Sequence, residues 1–523
     1  MLEKSQLPMR WLVLVLSCTL MIGNYYCFDN PAALKSQLQQ RFNGAFPPDR
    51  FEFLFNMLYT LYSIPNIILP FFGGFLVDRL GARLCLLMFA TTITLGQIVF
   101  AFGCSISQFN VMLLGRILFG LGGESLGVAQ STLVASWFKN KELALALGIN
   151  LSIARLGSVF NNELSPVIAS EYNVSSALWM GVVMCGVSLI AALILIPIDK
   201  RADAAIARTK SFGASAPVAK DQGFSCRDIR SFRPIFWLLA IACMVVYGCV
   251  IPFNNVASSL LMERDFFRQP PPACQQCGEG AYAGDTNCSV IAPTCPPVPP
   301  FSWPLPALNR NCSIQSPEDQ LHCAHTAPYV TEAMINCDDD AWKKGPFSAV
   351  YCSRKSAAAA AAATPMSVPY LISAVLSPVM GYAVDRVGFR AGLALLSSVL
   401  LTVVHLLLGT THVTYWVPLV LQGVAYCVFA AALWPSIPYV VDARLVGSAY
   451  GAITSIQNLG LALFPMLVAM VYSVENKYLP SVEMLFVAFG ALGSVAGILL
   501  NIVDYKNGSV LNRSSAAAAR STA

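Results

Sequence analysis

Gly74-Phe-Leu-Val-Asp78-Arg79-Leu-Gly81-Ala-Arg83 returns in the second half of the chain as Gly381-Tyr-Ala-Val-Asp385-Arg386-Val-Gly388-Phe-Arg390. The two decapeptides agree at the first glycine, at Val-Asp-Arg, at the second glycine and at the last arginine. Each lies between two hydrophobic runs, in a connection too short to hold a soluble domain. A single Asp-Arg-x-Gly would carry little weight. Two copies at equivalent places point to an internally duplicated membrane chain, and transporters are commonly built that way.

The residues around these loops fit a lipid solvent. The 523-residue chain is 56% hydrophobic and 12% charged, where soluble domains carry about 25% charged residues. A spanning helix needs about 20 apolar residues. Runs of that size occupy 11–29, 51–76, 84–103, 109–135, 142–169 and 176–197, then 234–260, 365–384, 391–410, 414–440, 446–473 and 481–503. That is six and six. The first run has no small-residue cleavage site behind it, so it reads as a retained helix and not as a signal peptide. Phosphate-cradling glycine loops and HExxH are absent, and four histidines leave little material for metal or triad chemistry. Neither an enzyme nor a cofactor is expected. The partners expected are the bilayer and a small solute, not nucleic acid.

Basic residues give the orientation. The 198–233 connection holds Lys200, Arg201, Arg208, Lys210, Lys220, Arg227, Arg230 and Arg233, and both decapeptides fall on the same side, with Lys139 and Lys141. The short loops near 104–108, 170–175 and 411–413 carry no lysine or arginine. Both termini, both repeated loops and the 198–233 linker are therefore expected in the cytoplasm. The organisation expected is an N-terminal half over 1–197, the linker, a C-terminal half over 234–503 and a tail over 504–523. Residues 264–364 form a proline-rich insertion on the opposite face. It holds Cys274, Cys277, Cys288, Cys295, Cys312, Cys323, Cys337 and Cys352. An even count in an oxidising compartment favours disulfides over a zinc pair at Cys274 and Cys277, with connectivity unreadable from spacing. Asn287-Cys-Ser and Asn311-Cys-Ser are glycosylation sequons on the correct side, whereas Asn507 and Asn512 fall in the cytoplasmic tail. The alanine run 357–363 reads as a helical lead-in or a spacer.

Charge inside the spans marks pathways or partners, because each ionisable group at mid-bilayer costs at least about 2.5 kcal/mol. Glu124 lies near the middle of the fourth span and Arg155 near the middle of the fifth. An acid facing an ammonium and a guanidinium forking onto a carboxylate would suit a zwitterion. The plainer reading is that the two neutralise each other. Arg116 sits nearer the non-cytoplasmic end and reads as structural, with Glu124 its one obvious acidic neighbour. Gly120, Gly122, Gly123 and Gly127 permit close helix packing and leave room beside the carboxylate. Polar and aromatic groups on several spans suggest a wet cavity: Tyr26, Tyr59, Asn150, Tyr426, Trp434, Tyr450, Gln457 and Asn458. Each of these serves core packing or interface anchoring equally well.

The repeated decapeptide resembles the cytoplasmic loop signature of the major facilitator superfamily, Gly-x-x-x-Asp-Arg/Lys-x-Gly-Arg/Lys. The resemblance covers nearly the whole chain apart from the insertion. It implies an all-α polytopic membrane protein with twelve transmembrane helices in two six-helix halves, the cysteine-rich insertion falling between helices 7 and 8. It also implies alternating access, with Asp78, Arg79, Arg83, Asp385, Arg386 and Arg390 as gating latches. Further stretches are similar to a branch of that superfamily that carries dipeptides out of lysosomes. These are 26–34, 122–130, 137–143, 152–158, 433–436 and 457–460. That likeness implies uniport, Glu124 and Arg155 on the two peptide termini, and a glycosylated accessory subunit. Two departures stand out. The acidic dileucine signal is broken, since Glu3-Lys-Ser-Gln-Leu7-Pro8 ends in proline, which leaves other endomembranes or the plasma membrane as alternatives to the lysosome. The insertion is additional, and it is expected to shield the carrier in place of the subunit. The rival readings are an amino acid, organic anion or sugar carrier, proton-coupled through Glu124, and a non-transporting receptor or scaffold using the insertion.

Overall fold

The computed structural model describes residues 4, 8–42, 48–139, 141–211, 232–267, 337, 343–344, 349–475 and 477–513. Among the described residues every element is a helix. The N-terminal half holds α1 (Arg10–Ala33), the short α2 (Lys35–Arg41), α3 (Pro48–Ser63), α4 (Leu69–Leu80), α5 (Ala82–Ser105), α6 (Phe109–Phe138), α7 (Leu143–Glu171) and α8 (Val174–Ser211). The C-terminal half holds α9 (Pro234–Leu261), α10 (Ala349–Ala363), α11 (Ser367–Val387), α12 (Arg390–Thr410), α13 (Trp416–Val440), α14 (Val446–Glu475) and α15 (Ser481–Lys506). Among the described residues eleven helices are each long and apolar enough to cross a membrane, and the bent α3–α4 pair, taken as one span, makes twelve. Helices dominate because a backbone in lipid must satisfy its own polar groups.

The second span departs from the continuous run expected over 51–76. It bends by 50° between α3 and α4, through a single 3₁₀ turn at Pro65–Ile67. Proline removes a donor and its ring crowds the carbonyl four residues back. Pro65 and Pro70 do this twice within one and a half turns. Asn66 Nδ2 then donates to the Tyr62 carbonyl at 2.8 Å, so that acceptor is satisfied inside the break.

The two halves meet along α4 with α14 and along α7 with α11. The first glycine of each decapeptide sits at these crossings. A Cβ on Gly74 would strike the Gly447 carbonyl, and one on Gly381 the Ala144 carbonyl. The second glycine of each copy ends its helix, Gly81 at φ +88° and Gly388 at φ +81°, a left-handed region where glycine has no Cβ penalty. Sequence duplication thus becomes a duplicated joint.

Several boundaries differ from the expected ones. The sixth span continues as helix to Ser211, past residue 197, because the polar turns that follow keep their helical bonding after the apolar run stops. The insertion was expected from residue 264, but Met262–Phe266 prolongs α9 as a π turn. Arg264 is 5% exposed and donates to the carbonyls of Leu408, Thr411 and Val413, while Glu263 accepts from the amides of Tyr478 and Leu479. This end of α9 staples two neighbouring turns. The alanine run is helical in α10, with Ala358 and Ala362 fully buried. Cys337 and Cys352 are joined by a disulfide. Cys274, Cys277, Cys288, Cys295, Cys312 and Cys323, the sequons at Asn287 and Asn311, most of the linker, and residues 514–523 lie outside the described residues. Asn512 is engaged structurally: its Oδ1 accepts from the amides of Ala391 and Gly392 at the start of α12.

Candidate substrate site and gates

Glu124 projects from the middle of α6 and Arg155 from the middle of α7, both half-buried. No ion pair joins them among the described residues, so the neutralising reading is not the arrangement present. Glu124 instead accepts a hydrogen bond from the Tyr62 hydroxyl at 3.3 Å. Gly120 and Gly123 make room for that tyrosine, since a Cβ on Gly123 would meet its hydroxyl at 2.8 Å. Gly122 packs against Phe89 and Ile93 of α5 instead, so the glycines of this helix serve both readings. Arg155 has both terminal nitrogens buried, and neither finds a hydrogen-bond acceptor. Its guanidinium lies 4.6 Å over the ring of Tyr426 on α13, in the opposite half. Tyr25 of α1 lies within electrostatic reach of both Glu124 and Arg155.

Beyond Tyr426 the C-terminal half presents a linked aromatic cluster. Tyr247 of α9 is 5.6 Å from Tyr426, and Trp434 Nε1 donates to the Tyr247 hydroxyl at 2.7 Å. Tyr450 donates to the Trp434 carbonyl at 3.0 Å and stacks on its ring at 6.3 Å. These bonds fix the rings, so the wall facing Arg155 is preorganised. Asn458 leaves its Nδ2 buried without a partner, and Gln457 is half-buried beside it.

Other expected lining residues are engaged elsewhere. Tyr26 is fully buried and its hydroxyl bonds to Ser165, in a network with Asn30 and Asn161 that ties α1 to α7. The neighbouring Tyr25 takes the position facing the charges. Asn150 exchanges two side-chain bonds with Gln130, at 2.7 and 3.2 Å, so its amide is already occupied. Tyr59 packs near Arg116. Arg116 is 2% exposed among the rings of Phe100, Phe119 and Tyr59, and the acid within its electrostatic reach is Asp29, not Glu124.

The decapeptides form matching cross-half contacts. Asp78 of α4 accepts from the amides of Gly447 and Ser448 at 2.8 and 2.6 Å, capping α14 of the other half. Asp385 of α11 accepts from the Leu145 amide at 2.9 Å, in the first turn of α7. The first turn of a helix has unpaired amides and a positive dipole end, so a carboxylate there is doubly favoured. Arg390 is 1% exposed, 3.8 Å from Asp385 and 4.8 Å from the Tyr439 ring. Arg83 turns away from the joint to Asp203 at 2.8 Å and Asp199 at 3.4 Å, where Lys4 also pairs. Arg79 is exposed and Arg386 lies over the Tyr382 ring of its own helix. At the same end Lys139 is pulled below the ordinary lysine value by burial, opposed by Asp442 across the joint.

Sequence reasoning missed Tyr62, Tyr247 and one buried histidine–glutamate couple. Tyr62 is signalled only by the gap that Gly120 and Gly123 leave for it. His405 Nδ1 lies 2.9 Å from Glu483 Oε2 between α12 and α15, both fully buried. A histidine and a glutamate in two separate apolar runs were the available signal.

The description Major Facilitator Superfamily matches residues 16–264 and 346–521, breaking on either side of the cysteine-rich insertion. The lysosomal dipeptide transporter MFSD1 of Homo sapiens is 31% identical over 98% of this chain and 90% of its own length. The protein of that name from Danio rerio is also 31% identical, over 98% of this chain and 91% of its own length. Among solved structures, the transporter FucP in the outward conformation superposes with a TM-score of 0.59 at 11% identity, covering 95% of this chain and 99% of the other. The proton:xylose symporter XylE gives 0.57 at 10% identity, covering 94% and 95%. The duplicated joint, the twelve spans and these likenesses agree: the chain belongs to the major facilitator superfamily.

Proposed function

We propose that this transporter carries small zwitterions, dipeptides foremost, across a lysosomal or related membrane by alternating access and without a coupling ion. The observation that carries the reading is Arg155. A buried guanidinium with two unpartnered nitrogens calls for an anion, and bidentate carboxylate recognition suits it. Glu124 makes no ion pair with it among the described residues and accepts a bond from Tyr62 at one oxygen, which leaves acceptor capacity for an ammonium. The names of the relatives at 31% identity support a dipeptide cargo. The repeated-loop end, with both termini and the linker, is assigned to the cytoplasm. The insertion is assigned to the lumen, where disulfides and glycans would shield the carrier beside, or instead of, an accessory subunit.

The test is binding of alanyl-alanine, its N-acetylated form and its C-amidated form to the purified chain, with Glu124→Gln and Arg155→Ala. Wild type should favour the free dipeptide over each blocked form by about tenfold or more, the worth of one charge-assisted contact. Each variant should lose the preference for its own terminus. Equal binding of free and blocked peptides would overturn the reading. A preference for the N-acetylated form would point to an organic anion instead.

A further inference from the structure

The bent second span leaves the other half at its break, while α6 of its own half flanks it on both sides. Below the bend α4 runs along α14 of the other half, with the Phe71 amide donating to Ser455 Oγ at 3.0 Å. Past the bend α3 packs on α6 of its own half. The last turn of α3 carries Tyr62, which reaches Glu124 through the space left by Gly120 and Gly123. The hinge therefore begins two residues after a side chain bonded to the intramembrane acid. Its backbone is loosened by Pro65 and Pro70, and its Ile64 and Ile68 are each 60% exposed.

We propose that α3 is the gate of the end opposite the repeated loops, hinged at Ile64–Ile68, and that Tyr62 is the positioning residue linking this gate to occupancy of Glu124. The inference rests on Glu124 receiving the ligand's ammonium. An ammonium beside Glu124 offsets the carboxylate's charge and weakens its hold on the Tyr62 hydroxyl. With that tie loosened, α3 can tilt at the hinge toward the line of α4 and close along α14. A change of about 15° in the bend carries the far end of this 16-residue helix about 6 Å. The same tyrosine would thus keep the gate drawn back while the site is empty.

The test compares wild type, Tyr62→Phe, Pro65→Ala and Glu124→Gln as full-length proteins in lipid nanodiscs or liposomes, with alanyl-alanine as probe. In wild type, ligand should slow amide hydrogen exchange across 57–70. Tyr62→Phe should bind within about threefold of wild type, lose the ligand-dependent change in exchange, and transport about fivefold slower. Pro65→Ala, which stiffens the hinge and leaves Tyr62 in place, should also bind normally and transport slowly. If Glu124→Gln loses binding while Tyr62→Phe and Pro65→Ala transport and exchange like wild type, the gate is overturned and the site stands. Should Glu124→Gln bind as wild type does, the substrate reading itself falls. If Tyr62→Phe does not fold, Pro65→Ala decides: unchanged transport overturns the hinge.

Discussion

Arg155 and Asn150 stand little more than a turn apart on α7, yet their surroundings give opposite expectations. Arg155 lacks an acceptor for either terminal nitrogen, so its free energy depends on what enters the site. Asn150 has its bonds made by Gln130. Asn150→Ala should therefore cost about 1–2 kcal/mol of stability by stranding the glutamine, with the dipeptide Kd nearly unchanged. Thermal unfolding and a binding isotherm on the same sample separate these effects, and a large affinity loss would return Asn150 to the site. The His405–Glu483 couple gives a second residue-level expectation. Removing one member of a fully buried pair leaves the other's polar atoms unsatisfied, so Glu483→Leu or His405→Leu should each lower stability by about 1–3 kcal/mol. The double variant His405→Leu with Glu483→Leu should recover most of that loss. Two destabilised singles without recovery in the double would refute a purely structural couple. Sequence located Glu124 and Arg155 at mid-span because a lone charge in an apolar run is visible without a fold. Tyr25 and Tyr26 are adjacent aromatics and equally eligible in the sequence, and only the rotation of α1 about its axis tells which lies near the charges.

The working element is a helix end seated on a carboxylate from the other half. Asp78 caps α14 and Asp385 caps α7, and each lies one helical turn past a glycine that lets two backbones touch. Asp78→Asn keeps the shape but turns one accepting oxygen into a donor facing amides. Its expected effect is a weaker joint by about 1–2 kcal/mol, within the range of lost helix caps. Spin labels at the exposed Leu80 and Val387, one in each half at this end, should then report longer separations. Identical distance distributions in Asp78→Asn and wild type would remove the latch role. That the loop aspartates would pair with basic groups or cap helix N-termini was expected of the latches; which helix each one caps, and the pairing of Arg83 with Asp199 and Asp203, were beyond reach of spacing alone. The partners lie 369 and 370 residues away for Asp78, and 120 for the Arg83–Asp203 contact.

Among the described residues the hydrogen bonds between the halves gather toward the repeated-loop end. Phe71, Asp78, Ser152 and Asp385 make them, all on the loop side of Arg155 or within a turn of it. The opposite end holds its turns within one half, as the Glu263 and Arg264 staples do. Ties between the halves gathered at one end suit rocking about a midplane site. If carriage proceeds without a coupling ion, as proposed, liposomes holding the protein should equilibrate a dipeptide to equal concentrations inside and outside. The rate of approach should be the same with and without a protonophore. Accumulation above equality driven by a pH gradient would replace uniport with proton coupling.

The number of spans, their order, the duplication and the depth of the two charges were all written in the linear chain. Each follows from local composition, because a bilayer makes every twenty-residue apolar stretch answer for itself. The broken second span, the tyrosine lodged against Glu124, the buried His405–Glu483 couple and the choice of which polar groups are already satisfied depended on folding. These are matters of rotation and proximity between helices distant in sequence, where one turn about an axis moves a side chain from a partner to a pathway.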